Sequence, residues 1–191
     1  MAKEKQKKKW TTGKIIACIL TLVIMFVVVY VVFLGKSSRG LTYELTTNSY
    51  AQILGEEEDA YEVSGCANVF DLKKKMVIPA EKKGAPVIGV AKEALRELKA
   101  KEIIVEEDSK LMYIEKSAFI ACTKLEKINL PESLVFIGET AFYNCVSLKT
   151  IEFEGTTAQW NAILKGDRWA EGVPATEVIC SDGKVSLEFK L

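Results

Sequence analysis

Residues 114–153 read IEKSAFIACTKLEKINLPESLVFIGETAFYNCVSLKTIEF, and a shift of 23 positions lays one half of this stretch on the other. Ile114 falls on Ile137, Ala118 on Ala141, Phe119 on Phe142 and Cys122 on Cys145. The same shift carries Leu125 onto Leu148, Ile128 onto Ile151 and Leu130 onto Phe153. A period in the twenties marks a solenoid, in which each coil buries its apolar residues only against its neighbours. Such a fold offers a surface rather than a catalytic pocket, so the first functional expectation is binding.

Working outward, four apolar triplets recur: Met76-Val77-Ile78, Ile103-Ile104-Val105, Ile128-Asn129-Leu130 and Ile151-Glu152-Phe153. Their last residues lie 27, 25 and 23 positions apart, so the spacing tightens toward the regular pair. Each is too short to stand as a hairpin strand, but stacked in parallel they form a ladder with rungs about 4.8 Å apart. Pro79 and Pro131 follow two triplets directly, where a missing amide ends a strand. Between triplets stand Ala94-Leu95, Ala118-Phe119 and Ala141-Phe142. The alanine permits close approach of coils and the large side chain fills the interior on the far wall.

The pattern A-F-x-x-C-x-x-L-x-x-I-x-[LF] resembles the BspA-like leucine-rich repeat of bacterial and protist surface proteins. It is carried by Ala118, Phe119, Cys122, Leu125, Ile128 and Leu130, then by Ala141, Phe142, Cys145, Leu148, Ile151 and Phe153. The segment from Val77-Ile78-Pro79 through Gly84, Pro86-Val87 and Ile88-Gly89 is similar to that family's first coil, and residues 153–183 to a frequent ending. The coil around Ala94 departs from the pattern, with Leu95 for Phe and Leu98 near the cysteine position. The resemblance implies a leucine-rich repeat solenoid of α/β class, mostly short parallel strands joined by helical or irregular turns. It implies export and, in some members, binding to host or matrix proteins. No catalytic residue comes with it.

The ends of a solenoid need covers. Residues 41–65 read as an opening cap, because Leu41-Thr42-Tyr43-Glu44-Leu45 and Tyr61-Glu62-Val63 alternate as half-buried strands do. Glu56-Glu57-Glu58-Asp59 between them lacks the spacing and glycine of a calcium loop and reads as a solvated hairpin loop. Residues 66–153 are the repeats and 154–191 the closing cap. There Ala158 to Leu164 has helical spacing, with Trp160 and Ile163 or Leu164 on one face and Thr157 placed to cap its start. Val178 to Cys180 and Val185 to Phe189 form an expected hairpin around Asp182-Gly183. Trp160 and Trp169 read as cover for the open end in preference to ligand-binding aromatics.

Ahead of the solenoid, Ile15 to Leu34 is twenty residues without a charge. As a helix it spans about 30 Å, the thickness of a bilayer's hydrocarbon core, so 15–34 is expected to be a single transmembrane helix. Lys3, Lys5, Lys7, Lys8, Lys9 and Lys14 precede it against Glu4 alone, which places the 1–14 tail in the cytoplasm and sends the chain across after the 35–40 linker. The apolar core exceeds that of a cleaved signal peptide and no A-x-A site follows, so an uncleaved signal anchor is the expectation.

Composition narrows the function classes. The first 40 residues hold 8 Lys or Arg and 1 acidic residue, so of 26 basic and 26 acidic residues the remainder keeps 18 and 25, a net of −7. An acidic exported domain is a poor nucleic-acid binder, because phosphate contacts need clustered Lys and Arg. The chain has no histidine, which excludes Ser-His-Asp and Cys-His catalysis and the commonest zinc ligand. A carboxylate pair such as Asp167 and Asp182 has no spacing that brings it together, so no enzymatic activity, cofactor or metal is expected. Four cysteines follow the span: Cys66, Cys122, Cys145 and Cys180. Cys122 and Cys145 share one phase, which marks packing positions, so buried thiols are favoured over two disulfides.

The leading expectation is a membrane-anchored, surface-exposed repeat protein acting as a protein-binding or adhesion module. Its candidate partner-binding wall is Lys127, Asn129, Lys149, Thr150 and Glu152, the polar positions flanking the triplets. The plain reading of those five is an ordinary solvated face. The alternative function is a structural subunit or spacer of a cell-envelope complex, although small residues for a helix-dimer face are scarce in 15–34.

Overall fold

The computed structural model describes residues 40–46, 60–67 and 74–187. The expected span at 15–34, its lysine-rich flank and the acidic run at 56–59 lie outside them. Two units divide the chain, Met1–Ser37 and Ser38–Leu191, and the described residues belong to the second. Among them no helix is long and apolar enough to cross a membrane.

The elements in chain order are β1 (Leu41–Leu45), β2 (Tyr61–Cys66), β3 (Lys75–Ile78), β4 (Glu81–Lys82), β5 (Ala85–Val90), β6 (Glu102–Val105), β7 (Tyr113–Ile114), β8 (Lys127–Leu130), β9 (Phe136–Ile137), β10 (Thr150–Phe153), α1 (Thr157–Ala162), β11 (Leu164–Lys165), β12 (Glu177–Cys180) and β13 (Gly183–Ser186). The four triplets are β3, β6, β8 and β10, and they stack in parallel as expected, with β12 as a fifth rung. Met76, Ile103, Ile128, Ile151 and Val178 align across this first wall and are buried. The first and third residue of each triplet point inward because successive side chains on a strand alternate faces. Their middle residues, Val77, Ile104, Asn129 and Glu152, are left half-exposed on the outside.

A second wall, which the triplets do not announce, stands opposite. Here β5, β7, β9 and β11 pair in parallel, aligning Val90, Ile114, Ile137 and Lys165. The opening cap is the expected antiparallel pair β1–β2, joined to this wall through β2 and β5. Between the walls, irregular segments form a third ladder. The amides of Leu95, Phe119 and Phe142 donate to the carbonyls of Ala118, Ala141 and Trp169 at 2.9, 2.8 and 2.6 Å. Each segment bends at two left-handed residues four apart: Glu93 and Glu97, Ser117 and Ala121, Thr140 and Asn144, Arg168 and Gly172.

The core lies inside these ladders. Leu95, Phe119 and Phe142 fill it from equivalent positions, and the two phenyl rings stack with centroids 5.0 Å apart and planes 9° from parallel. The coil at Ala94 therefore keeps the repeat's register, with Leu95 and Leu98 both buried. In the last coil the order reverses: Trp169 holds the alanine position and Ala170 follows it. Cys122 and Cys145 are buried free thiols, each donating at 3.1 Å to a carbonyl of the preceding coil, Leu95 and Phe119 respectively. Cys180 is also buried and Cys66 partly so. Contact with the Cys145 thiol, followed by burial, pushes the Cys122 thiol up, as suits a thiol held in a packing position.

The closing cap differs in detail from its sequence expectation. The helix is capped by Thr156, not Thr157: the Thr156 hydroxyl accepts from Gln159 N, and the Gln159 side chain accepts from Thr156 N at 2.7 Å. That reciprocal box satisfies two orphan amides, and Thr157 is held instead by Asp182, whose carboxylate accepts its N–H at 2.7 Å. Of the two residues proposed to share Trp160's face, Ile163 is buried and Leu164 is 70% exposed, because the helix ends before it. The hairpin turn is Ser181-Asp182, since Gly183 already pairs with Cys180, and its second strand begins at Gly183 and runs to Ser186; Glu188 and Phe189 of the expected strand lie outside the described residues. Trp160 packs edgewise on Phe153 and Trp169, and Trp169 on Phe142. The two indoles cover the open end of the solenoid.

Candidate interaction surface

The outer face of the first wall is set by strand parity. Because the strands pair in register, their outward side chains form two rows running along the solenoid axis. One row is Lys75, Glu102, Lys127 and Thr150; the other is Val77, Ile104, Asn129, Glu152 and Ile179. The structure thus brings Lys127, Asn129, Thr150 and Glu152 together on adjacent rungs of β8 and β10, and Lys149 lies one position before β10 at the same edge.

Three of these five residues are engaged within the wall. Asn129 Nδ2 donates to Val105 O at 3.0 Å and its Oδ1 accepts from Val105 N at 2.8 Å. The amide side chain thereby replaces a backbone rung where the β6–β8 register ends after Ile103 and Ile128. It also donates to Glu154 Oε1 at 3.1 Å. Lys127 Nζ pairs with Glu152 at 2.6 Å, an exposed ion pair of about 0–1 kcal/mol. Lys149 is exposed and Thr150 half-exposed.

A shallow groove of ≈ 370 Å³ crosses this face, lined among others by Glu102, Ile104, Lys127, Asn129, Glu152 and Ile179. Ile104 and Ile179 are its outward apolar side chains, beside the buried Phe153 and Cys180, and Ile179 is 38% exposed. The sequence reading singled out neither. The signal was present, because both are outward positions of apolar strands, where a polar residue is the norm. A second depression of ≈ 500 Å³ includes Lys149, Thr150, Glu126 and Lys127. Donation from Lys101 holds the Glu126 carboxyl below its usual range.

Charge is segregated across the wall. At the amino-terminal ends of its strands stand Lys74, Lys75, Lys99, Lys101, Lys124 and Lys149. Just beyond the carboxyl-terminal ends stand Glu106, Glu107, Asp108, Glu132, Glu154 and Asp182. Glu102, Glu126 and Glu177 interrupt the basic edge, the first two paired to a lysine of the preceding coil, Lys75 at 3.3 Å and Lys101 at 2.7 Å, and the third to Lys184 of β13. Among the described residues no group of three or more His, Cys, Asp and Glu could hold a metal ion. Asp182 is occupied at the start of α1, and Asp167 is an exposed residue of the third ladder.

The chain matches no curated protein. It is similar in fold to a leucine-rich repeat protein from Bacteroides capillosus, with TM-score 0.55 and 20% identity over 74% of this chain and 94% of that one. It is similar also to a leucine-rich repeat protein from Bacteroides ovatus, with TM-score 0.53 and 24% identity over 74% of this chain but 36% of that one. The leucine-rich repeat protein of T. pallidum aligns with TM-score 0.49 and 24% identity over 63% of this chain and 54% of its own length. The chain therefore spans about a third to a half of two of these proteins. Residues 88–162 match the BspA type Leucine rich repeat region in 6 copies. By that match and by their ladder of short parallel strands, residues 88–162 form a BspA type leucine-rich repeat region.

Proposed function

We propose that the chain is a membrane-anchored surface protein whose first strand wall binds a protein partner, with no catalytic role. The observation that carries this reading is the outer face itself. Outward side chains of five successive strands lie in register, and two isoleucines, Ile104 and Ile179, sit among charged residues in one groove. An apolar centre with a polar rim is the usual anatomy of a protein contact. The uncharged run at 15–34 and the lysines ahead of it support an anchor with the repeat unit outside. A wall of this size favours a weak contact strengthened by many anchored copies.

Protease shaving of intact cells, with mass spectrometry of the released peptides, tests the placement. Release of peptides from residues 41–191, with 15–34 retained in the membrane fraction, is the expected outcome. Protection until the membrane is breached would overturn it. For the wall, Ile104→Asp with Ile179→Asp is expected to abolish capture of a partner found with the parent chain, whereas substitution of exposed residues on the third ladder leaves it unchanged.

A further inference from the structure

We propose that the occupant of the first wall is a second copy of this chain, paired wall to wall about a twofold axis parallel to the solenoid axis. This inference rests on the reading of that wall as a contact surface. The charge pattern selects both the partner and the geometry. With a basic edge at the strand starts and an acidic edge at the strand ends, the wall is self-complementary only when the facing strands run antiparallel. A twofold axis along the strands would set lysine edge on lysine edge, and like charges in apposition are a specific barrier to pairing. An axis along the solenoid instead lays each basic edge on the partner's acidic edge and keeps equivalent coils opposite each other.

That arrangement is isologous, as a closed homodimer requires. It places Lys124, before β8, opposite Glu132 of the other copy, which follows β8. It places Lys149, before β10, opposite Glu154, which follows β10. The apolar contact comes from Ile104 and Ile179 of each copy along the middle row. Six strands about 4.8 Å apart, with edges included to a width of about 20 Å, bury about 1,000 Å² in all, the lower end for a specific interface. The pair is therefore weak in free solution and is promoted by confinement of anchored chains.

The test uses the full-length chain in mild detergent and two double variants, Lys124→Glu with Lys149→Glu and Glu132→Lys with Glu154→Lys. Circular dichroism checks that each variant keeps the parent's strand content. Sedimentation equilibrium is expected to show a parent dimer whose dissociation constant rises about tenfold or more from low to moderate salt, because exposed charge pairs are screened. Each variant alone is expected to lose pairing, since at β8 and β10 one sets glutamate against glutamate and the other lysine against lysine. An equimolar mixture regains it. Carbodiimide linkage of isotopically light and heavy parent chains is expected to join Lys124 to Glu132 and Lys149 to Glu154 between copies. Variants that pair as well alone as the parent does, or a mixture that stays monomeric, would overturn the proposal. If the mixing experiment fails while 41–191 is still shaved from intact cells, self-pairing falls and surface binding stands. If those residues are protected while the mixture pairs, surface placement falls and self-pairing stands.

Discussion

Gly138 shows how closely the coils approach. Its amide donates to Ile114 O at 2.7 Å, and a Cβ at this position would lie 2.5 Å from Lys116 N and 2.6 Å from Glu115 C. Those are backbone atoms of the preceding coil, which cannot swing aside as the end of a side chain does. Gly166 meets Glu139 N in the same way, at 2.4 Å. Gly138→Ala is therefore expected to cost about 2–4 kcal/mol, as overpacking against fixed structure does, and urea denaturation measures it. A loss under about 0.5 kcal/mol would mean that the coils part freely. The sequence does not advertise this role, because the matching position one coil earlier is Glu115, and the counterpart one coil later, Gly166, lies 28 residues on and so falls out of the 23-residue phase. Asn129 was equally hidden. Its spacing placed it correctly on the outer face, but spacing cannot show that its amide clamps both polar groups of Val105.

At the scale of elements, the interior is a row of large side chains, one from each coil. Truncating Phe119 or Phe142 to Ala is expected to cost about 3–5 kcal/mol each. Because the two rings stack in contact, the double variant is expected to lose less than the two losses together, with a coupling of about 0.5–1.5 kcal/mol. Additive losses in denaturant titrations would show that the rings act independently. The opening cap meets the second wall at Glu62, whose carboxylate accepts from the Tyr113 hydroxyl at 2.9 Å. Burial raises the Glu62 carboxyl above its usual range, with Glu115 and Glu44 adding to the rise and the tyrosine opposing it. The folded state then binds that proton more tightly than the unfolded chain. Its contribution to stability is full below the unfolded carboxyl value and is lost as pH rises through the folded one. The urea midpoint is expected to fall with pH across this window, from about pH 4 upward, and Glu62→Gln is expected to flatten that part of the profile. The first wall was legible because each triplet alternates apolar, outward and apolar. The second wall was not, because β7, β9 and β11 are two residues each and too short to show alternation. The left-handed bends were hidden too, since of eight only Asn144 and Gly172 are residue types that favour that conformation.

Across the whole unit, cohesion runs along one axis. Three hydrogen-bonded ladders join each coil only to its neighbours, and exposed lysine–glutamate pairs repeat the same connection: Lys75 to Glu102, Lys101 to Glu126, Lys116 to Glu139 and Lys127 to Glu152. Each such pair contributes little alone, about 0–1 kcal/mol. In a one-dimensional stack a coil is held by the interfaces on its two sides, so a central coil is secured twice and a terminal one once. Native-state hydrogen exchange is therefore expected to be slowest for amides of β8 and β10, which are paired on both flanks, and faster toward β1 and β13, which are paired on one. Trp160→Ala removes the indole that covers Phe153 and touches Trp169. It is expected to accelerate exchange first in β12 and β13, then in β10, and to leave β2 and β5 nearly unchanged until global unfolding. That gradient follows from contacts confined to neighbouring coils. Uniform acceleration through all strands would mean that the solenoid opens as one cooperative block, and the stacked-interface account of its stability would fail.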